Sequence, residues 1–231
     1  MVEDISFRIL LLVLLMSRTD LKRQHVRIVL LGPSDRNRMF SLWHVRPVIQ
    51  YLNTPLRHTH SVLRHVKFSV HYADSHCNSK DAPIKAFEMH RQADLFLGPT
   101  CDYSLAPVAR FAPVWNIPVV TPGGFAHDFG ANKSEEDAEY PTLTRVGLTF
   151  NSLTLLVLKL IEQFKWKKVT VVYDGKGHDD VAPRFCYLAA GAFMKYSKDH
   201  ALPHGFEIFH PTTESVDNML REDVAADNAS K

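Results

Sequence analysis

The sequence predicts an α/β protein built on a mostly parallel sheet with helices on both faces. Short apolar runs rich in β-branched residues recur along the chain, and most of them stop at a glycine or a proline. Amphipathic helical patterns separate these runs. Parallel strands need crossover connections, which helices usually supply, so the alternation indicates strand-helix-strand units. With 231 residues, of which 45% are hydrophobic, the chain can form one or two globular domains.

The first half of the chain contains four of the apolar runs. We predict strands at residues 26–31, 66–72, 94–99 and 117–121, and helices at residues 40–52, 81–92 and 103–115. Asp81 is the predicted N-cap of the second helix, because Pro83 then falls in the first turn. Residues 125–140 are rich in glycine, serine and acidic side chains and lack periodicity, so they are predicted to form a loop.

The α/β pattern begins again after this loop, but it is shorter. We predict helices at residues 152–164, 181–196 and 216–224, and strands at residues 168–173 and 206–209. Two strands are too few for an independent open sheet that buries both faces. We therefore expect a first lobe at residues 25–147 and a partial, truncated second lobe at residues 148–231.

An apolar run at residues 9–16 is the longest near the start, and it is far shorter than the roughly 20 residues that cross a bilayer. Its length suits a secretory signal peptide. Two features argue against a signal peptide. The acidic residues Glu3 and Asp4 precede the run, and no small-x-small cleavage site follows it. Residues 1–24 are interpreted as a possible signal peptide and linker, with a non-native start as the alternative.

Charge and motif content exclude several functional classes. The formal net charge is +2 and the basic residues form no stripe, so nucleic acid is not expected as a partner. The thirteen histidines are scattered, and no metal-ligand spacing or nucleophile-base motif occurs. The segment Gly175-Lys176-Gly177 lacks the other residues of a phosphate-binding loop. We expect no enzyme activity, no metal and no organic cofactor.

The turn after the third predicted strand is the most informative segment. Gly98 permits a tight turn, Pro99 stops the strand, and residues 100–103 begin a helix, whose free amides favour anions. Ligands of open α/β sheets collect at the carboxyl ends of strands, where this turn lies. The local pattern leaves two alternatives open, a small-anion or ligand site and an ordinary helix start.

The sequence around this turn resembles a known receptor family. Residues 93–112 read ADLFLGPTCDYSLAPVARFA, which closely resembles the natriuretic peptide receptor pattern LGPxCxYxxAPVARxA. Similar segments, nearer to the clearance-type receptor than to the cyclase-bearing ones, bring the resemblance to about residues 25–225. These segments are residues 40–47, 72–77, 115–118, 139–146, 166–173 and 184–187.

The resemblance implies a periplasmic-binding-protein type I fold and the extracellular ligand-binding region of a membrane receptor, anchored through sequence absent from this chain. In this family a peptide hormone sits between two receptor copies, so a homodimer is expected. Two alternatives remain. One is a small-ligand receptor ectodomain, with Ser104 and Thr121 as candidate contacts. The other is the ectodomain of a receptor guanylyl cyclase whose catalytic part is absent here.

The resemblance also assigns roles to residues near the informative turn. Cys77 and Cys101 are expected to form the first-lobe disulfide, although their spacing alone leaves their state undecided. Ser75, Thr100 and Cys101 are expected to hold a chloride ion through a hydroxyl and backbone amides. Cys186 is expected to pair with a cysteine beyond Lys231.

The resemblance implies hormone contacts at Tyr103, Arg110 and Tyr187, with a structural ion pair as the alternative role for Arg110. Where the family commonly has a glutamate before a glycine, residues 189–191 read Ala-Ala-Gly, so one acidic contact is expected to be missing. Asn132 begins an Asn-Lys-Ser sequon and is a candidate glycosylation site of a secreted chain.

Overall fold

The computed structural model describes residues 24–59, 66–200, 204–209 and 215–225. Nearly all of the segment interpreted as a signal peptide therefore lies outside the described residues. Within the described ranges, no helix combines the length and the apolar character that a membrane span requires.

The main sheet has five strands, all parallel to their neighbours, in the order β2-β1-β3-β4-β5. The strands are β1 (Gln24–Gly32), β2 (Val66–Asp74), β3 (Leu95–Leu97), β4 (Val119–Thr121) and β5 (Leu143–Arg145). The helices between them are α1 (Leu42–Thr59), α2 (Asp81–Met89) and α3 (Asp102–Phe111). The four predicted strands and three predicted helices of this half are confirmed. β5 was not predicted, because its three residues carry no strand pattern.

Helices cover both faces of this sheet. Successive residues of a strand point to opposite faces. Val29 and Leu31 of β1 belong to a buried core that includes residues of α2 and α3, whereas Gly32 lies against Leu42 of α1. The core of the first face contains residues from all five strands and from two helices, among them Val29, Leu31, Ala73, Phe96, Val119, Leu143, Ala82, Ala86, Leu105, Val108 and Ala109.

A second, smaller unit follows the loop. Its two parallel strands are β6 (Val169–Asp174) and β7 (His204–Phe209), and its helices are α4 (Phe150–Phe164), α5 (Phe185–Asp199) and α6 (Val216–Met219). Both strands of this half are confirmed. Several apolar side chains of α4 are exposed. They are Leu153, Leu155, Leu156, Leu160 and Phe164.

Two predicted helix starts are wrong. Asp81 is the first residue of α2 and not its cap. The Asn78 side chain accepts hydrogen bonds from the amides of Lys80 at 2.9 Å and Asp81 at 2.7 Å instead. α5 begins at Phe185 and not at 181, because the Asp179 carboxylate binds the Arg184 amide at 2.7 Å and holds the preceding residues in turns.

Gly123 brings the turn after β4 against the turn after β3. A Cβ atom at Gly123 would lie 1.9 Å from the carbonyl oxygen of Thr100. Thr121 adds a polar link to the same turn, since its hydroxyl donates to the Pro99 carbonyl at 2.6 Å and accepts from the Gly123 amide at 3.0 Å. The carboxyl ends of β3 and β4 are therefore closely packed.

We predict that Gly123→Ala lowers the free energy of unfolding by about 2 kcal/mol or more, because backbone would have to move to admit the methyl group. Gly191→Ala is the matched control, since Gly191 lies within α5 and a Cβ there meets no atom within 4 Å. That change should raise stability by about 0.5–1 kcal/mol. Urea unfolding of both variants tests the pair, and equal effects would contradict the close contact at Gly123.

Candidate ligand-binding groove

A disulfide joins the ends of β2 and β3. Cys77 and Cys101 are bonded with their Cα atoms 5.5 Å apart, and both side chains are buried. Because β1 lies between these strands, the bridge passes across the carboxyl end of β1. It closes a loop of 24 positions, a constraint worth roughly 3 kcal/mol of chain entropy. The expected Cys77–Cys101 pairing is present, and Cys186 is a free thiol.

The turn after β3, for which the resemblance implies a chloride ion, lies beside this bridge. We call residues 98–103 the anion turn. Ser75, Thr100 and Cys101 are all buried. The Ser75 hydroxyl oxygen accepts from the Cys77 amide at 3.3 Å, so its own proton is available to another acceptor. Thr100 and Cys101 immediately precede α3, where amides lack partners within the helix. Hydroxyl and amide donors are thus present at the end of the sheet.

Two adjacent cavities lie between α3, the loop after β4 and α5. The first has a volume of about 380 Å³ and is lined in part by Tyr103 and Arg110. The second has a volume of about 240 Å³ and is lined in part by Tyr187. We call them the first and second chambers of the junction groove, because both are also lined by Ala126, Asp128 and Leu188.

Tyr103 and Tyr187 are partly exposed aromatic residues of the junction groove. Tyr103 is 36% exposed on α3, and Tyr187 is 41% exposed on α5. The guanidinium carbon of Arg184 lies 3.8 Å from the centre of the Tyr187 ring. A partly exposed tyrosine presents an apolar ring and a hydroxyl to a ligand, which suits an interface anchor.

Arg110 takes part in the ion pair that was the alternative to a hormone contact. Its guanidinium Nη2 lies 2.5 Å from the Glu139 carboxylate oxygen, with both side chains about half exposed. Exposed pairs of this kind contribute under about 1 kcal/mol. Arg110 also lies 5.5 Å from the Tyr140 ring, where burial raises the pKa of Tyr140 to about 12. The pair orients Arg110 along the first chamber.

Asp102 is a residue of the first chamber that the sequence did not single out. It is 5% exposed, and its Oδ1 accepts from the Ala126 amide at 2.8 Å. Its Oδ2 is buried and has no hydrogen-bond partner among the described residues. Burial raises the pKa of Asp102 to about 6, against the opposing effect of backbone amides and of Arg145.

The loop after β4 connects the two units through aromatic contacts. The rings of Phe125, Phe150 and Phe185 pack together with centroid separations of 4.9–5.7 Å. A hydrogen bond of 2.6 Å from the Arg38 guanidinium to the Asp179 carbonyl adds a second connection. These contacts bring α5, and hence Tyr187, to the side of the groove opposite α3.

The two candidate contacts for a small ligand, Ser104 and Thr121, form hydrogen bonds within the fold. Ser104 and Thr121 are fully buried, and their hydroxyls donate to the carbonyl oxygens of Cys101 and Pro99. In the part of the chain that the structure describes, no group of three potential metal ligands occurs.

The fold is of the periplasmic-binding-protein type. A solute-binding protein of an ABC transporter from R. palustris, in complex with 4-hydroxybenzoate, matches with a TM-score of 0.59 and 13% identity over 90% of this chain and 52% of its own. Leucine binding protein LivK from Thermotoga maritima MSB8 matches with a TM-score of 0.54 and 13% identity over 87% of this chain and 53% of its own. These likenesses concern the fold alone.

A family model for the receptor family ligand binding region matches residues 49–192, and the chain belongs to that family. Its relatives include atrial natriuretic peptide receptor 3 of Homo sapiens, 29% identical over 88% of this chain. Atrial natriuretic peptide receptor 2 of Bos taurus is 40% identical over 40% of this chain, and the matched segment makes up 9% of that receptor. The chain spans 38% of the length of the human receptor 3. The resemblance to natriuretic peptide receptor ligand-binding regions is confirmed.

We predict that Asp102→Asn raises the free energy of unfolding by about 2 kcal/mol at pH 7.5 and leaves it unchanged at pH 4. The pKa of Asp102 is about 6 in the folded protein and near 4 in the unfolded chain. The protonated side chain therefore stabilises the folded state fully below about pH 4, and this stability is lost as the pH rises through about 6. Urea unfolding across this range measures the effect. Asp137→Asn is the control, because Asp137 is exposed in the loop. If the stability of Asp102→Asn and of the unchanged protein depended equally on pH, Asp102 would not have the raised pKa.

Proposed function

We propose that the junction groove binds a peptide hormone, as part of the extracellular ligand-binding region of a natriuretic peptide receptor. One observation carries this proposal. Tyr103, Arg110 and Tyr187, which the resemblance assigns to hormone contact, line adjoining chambers although they come from two different helical elements. Binding energy would come from burial of aromatic and charged contacts, and no bond of the hormone would be broken.

The size of the groove favours binding between two receptor copies. The chambers have volumes of about 380 and 240 Å³, which admit a few side chains of a peptide and leave most of its surface uncovered. A second copy, which we propose as a homodimer partner, would cover the remaining surface. A guanylyl cyclase elsewhere in the full protein is the alternative to a clearance-type receptor, and the groove is compatible with either.

We propose an extracellular location for this region, with a membrane anchor in sequence outside the 231 residues. A buried disulfide in a small sheet protein is typical of oxidising compartments. Asn132 is exposed in the loop, and its side-chain oxygen accepts from the Ser134 amide at 3.1 Å, so the sequon is accessible for glycosylation.

We also propose chloride at the anion turn, held by the Ser75 hydroxyl and the amides of Thr100 and Cys101. The buried donors fit an anion without bringing a positive side chain. The neighbouring Asp102 carboxylate opposes an anion when it is ionised, so the affinity should fall above pH 6. Thermal unfolding in sodium chloride and in sodium gluconate tests the site; a melting temperature that is the same in both salts would exclude a stabilising ion.

We predict that Tyr103→Ala and Tyr187→Ala each weaken binding of labelled atrial natriuretic peptide by about 10- to 100-fold, the usual effect of removing a central aromatic anchor. Tyr51→Ala is the matched control, because Tyr51 is 75% exposed on α1 and lines neither chamber. Surface plasmon resonance on the secreted protein measures the affinities. Equal losses in all three variants, or no binding by the unchanged protein, would contradict the proposed function.

A further inference from the structure

The first chamber of the junction groove has an excess of negative charge. Its charged lining residues are Asp102, Arg110 and Asp128. Arg110 is already paired with Glu139, and Asp128 is exposed and makes no ion pair with any residue in the described ranges. Lys195 lines only the second chamber. The first chamber is therefore complementary to a cation.

The Asp102 side chain gives this chamber one oxygen atom, Oδ2, that has no hydrogen-bond partner among the described residues. Asp102 is only 5% exposed, and this oxygen is buried. Arg145, the positive side chain that lowers the pKa of Asp102, donates to the carbonyls of Gly124 at 2.9 Å and Ala126 at 3.4 Å. A buried acceptor without a donor is costly, and a ligand that supplies a donor recovers that cost.

We propose that Asp102 and Asp128 make the first chamber a specificity subsite for a basic side chain of the bound peptide, a guanidinium or an ammonium group. The inference rests on the proposed function, which supplies the peptide. Asp102 binds the donor groups of the cation, and Asp128 at the rim contributes charge where the two chambers meet. Carboxylates bind such cations through charge-assisted hydrogen bonds.

Binding of a cation at Asp102 has a consequence for pH dependence. A cation stabilises the ionised carboxylate, so affinity should increase as the pH rises through the pKa of Asp102 in the free protein, about 6. The other groups that face Asp102 or line its chamber are Arg145 at the end of β5, Tyr103 and Arg110 on α3, Asp128, and Tyr140. His127 lies beside this site, and its Nδ1 lies 3.1 Å from the Asn151 side-chain oxygen. The pH dependence of binding can be assigned to Asp102 only if it is lost in the Asp102→Asn variant.

The test combines variants of the protein with variants of the peptide. Atrial natriuretic peptide and the same peptide with its basic side chains replaced by neutral isosteres are titrated into the unchanged protein, Asp102→Asn and Asp128→Asn. We expect Asp102→Asn to weaken binding of the unmodified peptide by about tenfold or more and Asp128→Asn by less. The neutral peptide should bind the unchanged protein and Asp102→Asn equally. Between pH 5 and 7.5 the affinity of the unchanged protein should rise about tenfold, and that of Asp102→Asn should stay constant.

Glu136→Gln is the control for net charge, because it removes one exposed carboxylate outside the groove. Equal binding by Asp102→Asn and the unchanged protein, with the unmodified peptide still bound, would overturn the subsite and leave the proposed function standing. If the unchanged protein binds neither peptide, the proposed function fails. In that case N-acetylarginine amide, added while the Asp102 carboxyl carbon is titrated by NMR, decides the subsite. A lowered Asp102 pKa supports the subsite and an unchanged one rejects it.

Discussion

The disulfide between Cys77 and Cys101 is the constraint on which the groove depends. It fixes the carboxyl end of β2 to the residue that immediately precedes α3, across the end of β1, which lies between β2 and β3. Gly123 then packs the turn after β4 onto Thr100, so three strand ends are held together. This arrangement determines where α3 begins and therefore where Asp102 and the following Tyr103 lie.

The same arrangement places a cost on the protein. Burying Asp102 at the start of α3 raises its pKa to about 6, so its ionised form opposes folding at neutral pH. Groups that lower stability in this way are concentrated at functional sites. Here the buried carboxylate lines a chamber between two helical units, in a protein that belongs to a receptor ligand-binding family. The cost in stability and the proposed recognition of a cation thus have one origin.

Periodicity and punctuation in the sequence predicted six of the seven strands in the described residues, because buried parallel strands are continuous apolar runs that end at turn residues. They could not predict β5, where only Leu143 is buried and the strand forms through pairing with β4. The family resemblance predicted hormone contacts at Tyr103, Arg110 and Tyr187, which line the two chambers. It could not identify Asp102, because an acidic residue in a first helical turn is common, and its burial depends on a contact with Ala126, 24 positions away.

The position of the junction groove depends on the disulfide that holds the end of β2 to the start of α3. Alkylation of the secreted protein without reduction, followed by proteolysis and mass spectrometry, shows whether this bond is present. We expect one disulfide-linked peptide pair that contains Cys77 and Cys101, with Cys186 alkylated in this chain. Alkylation of both Cys77 and Cys101, or a bond between either of them and Cys186, would contradict it.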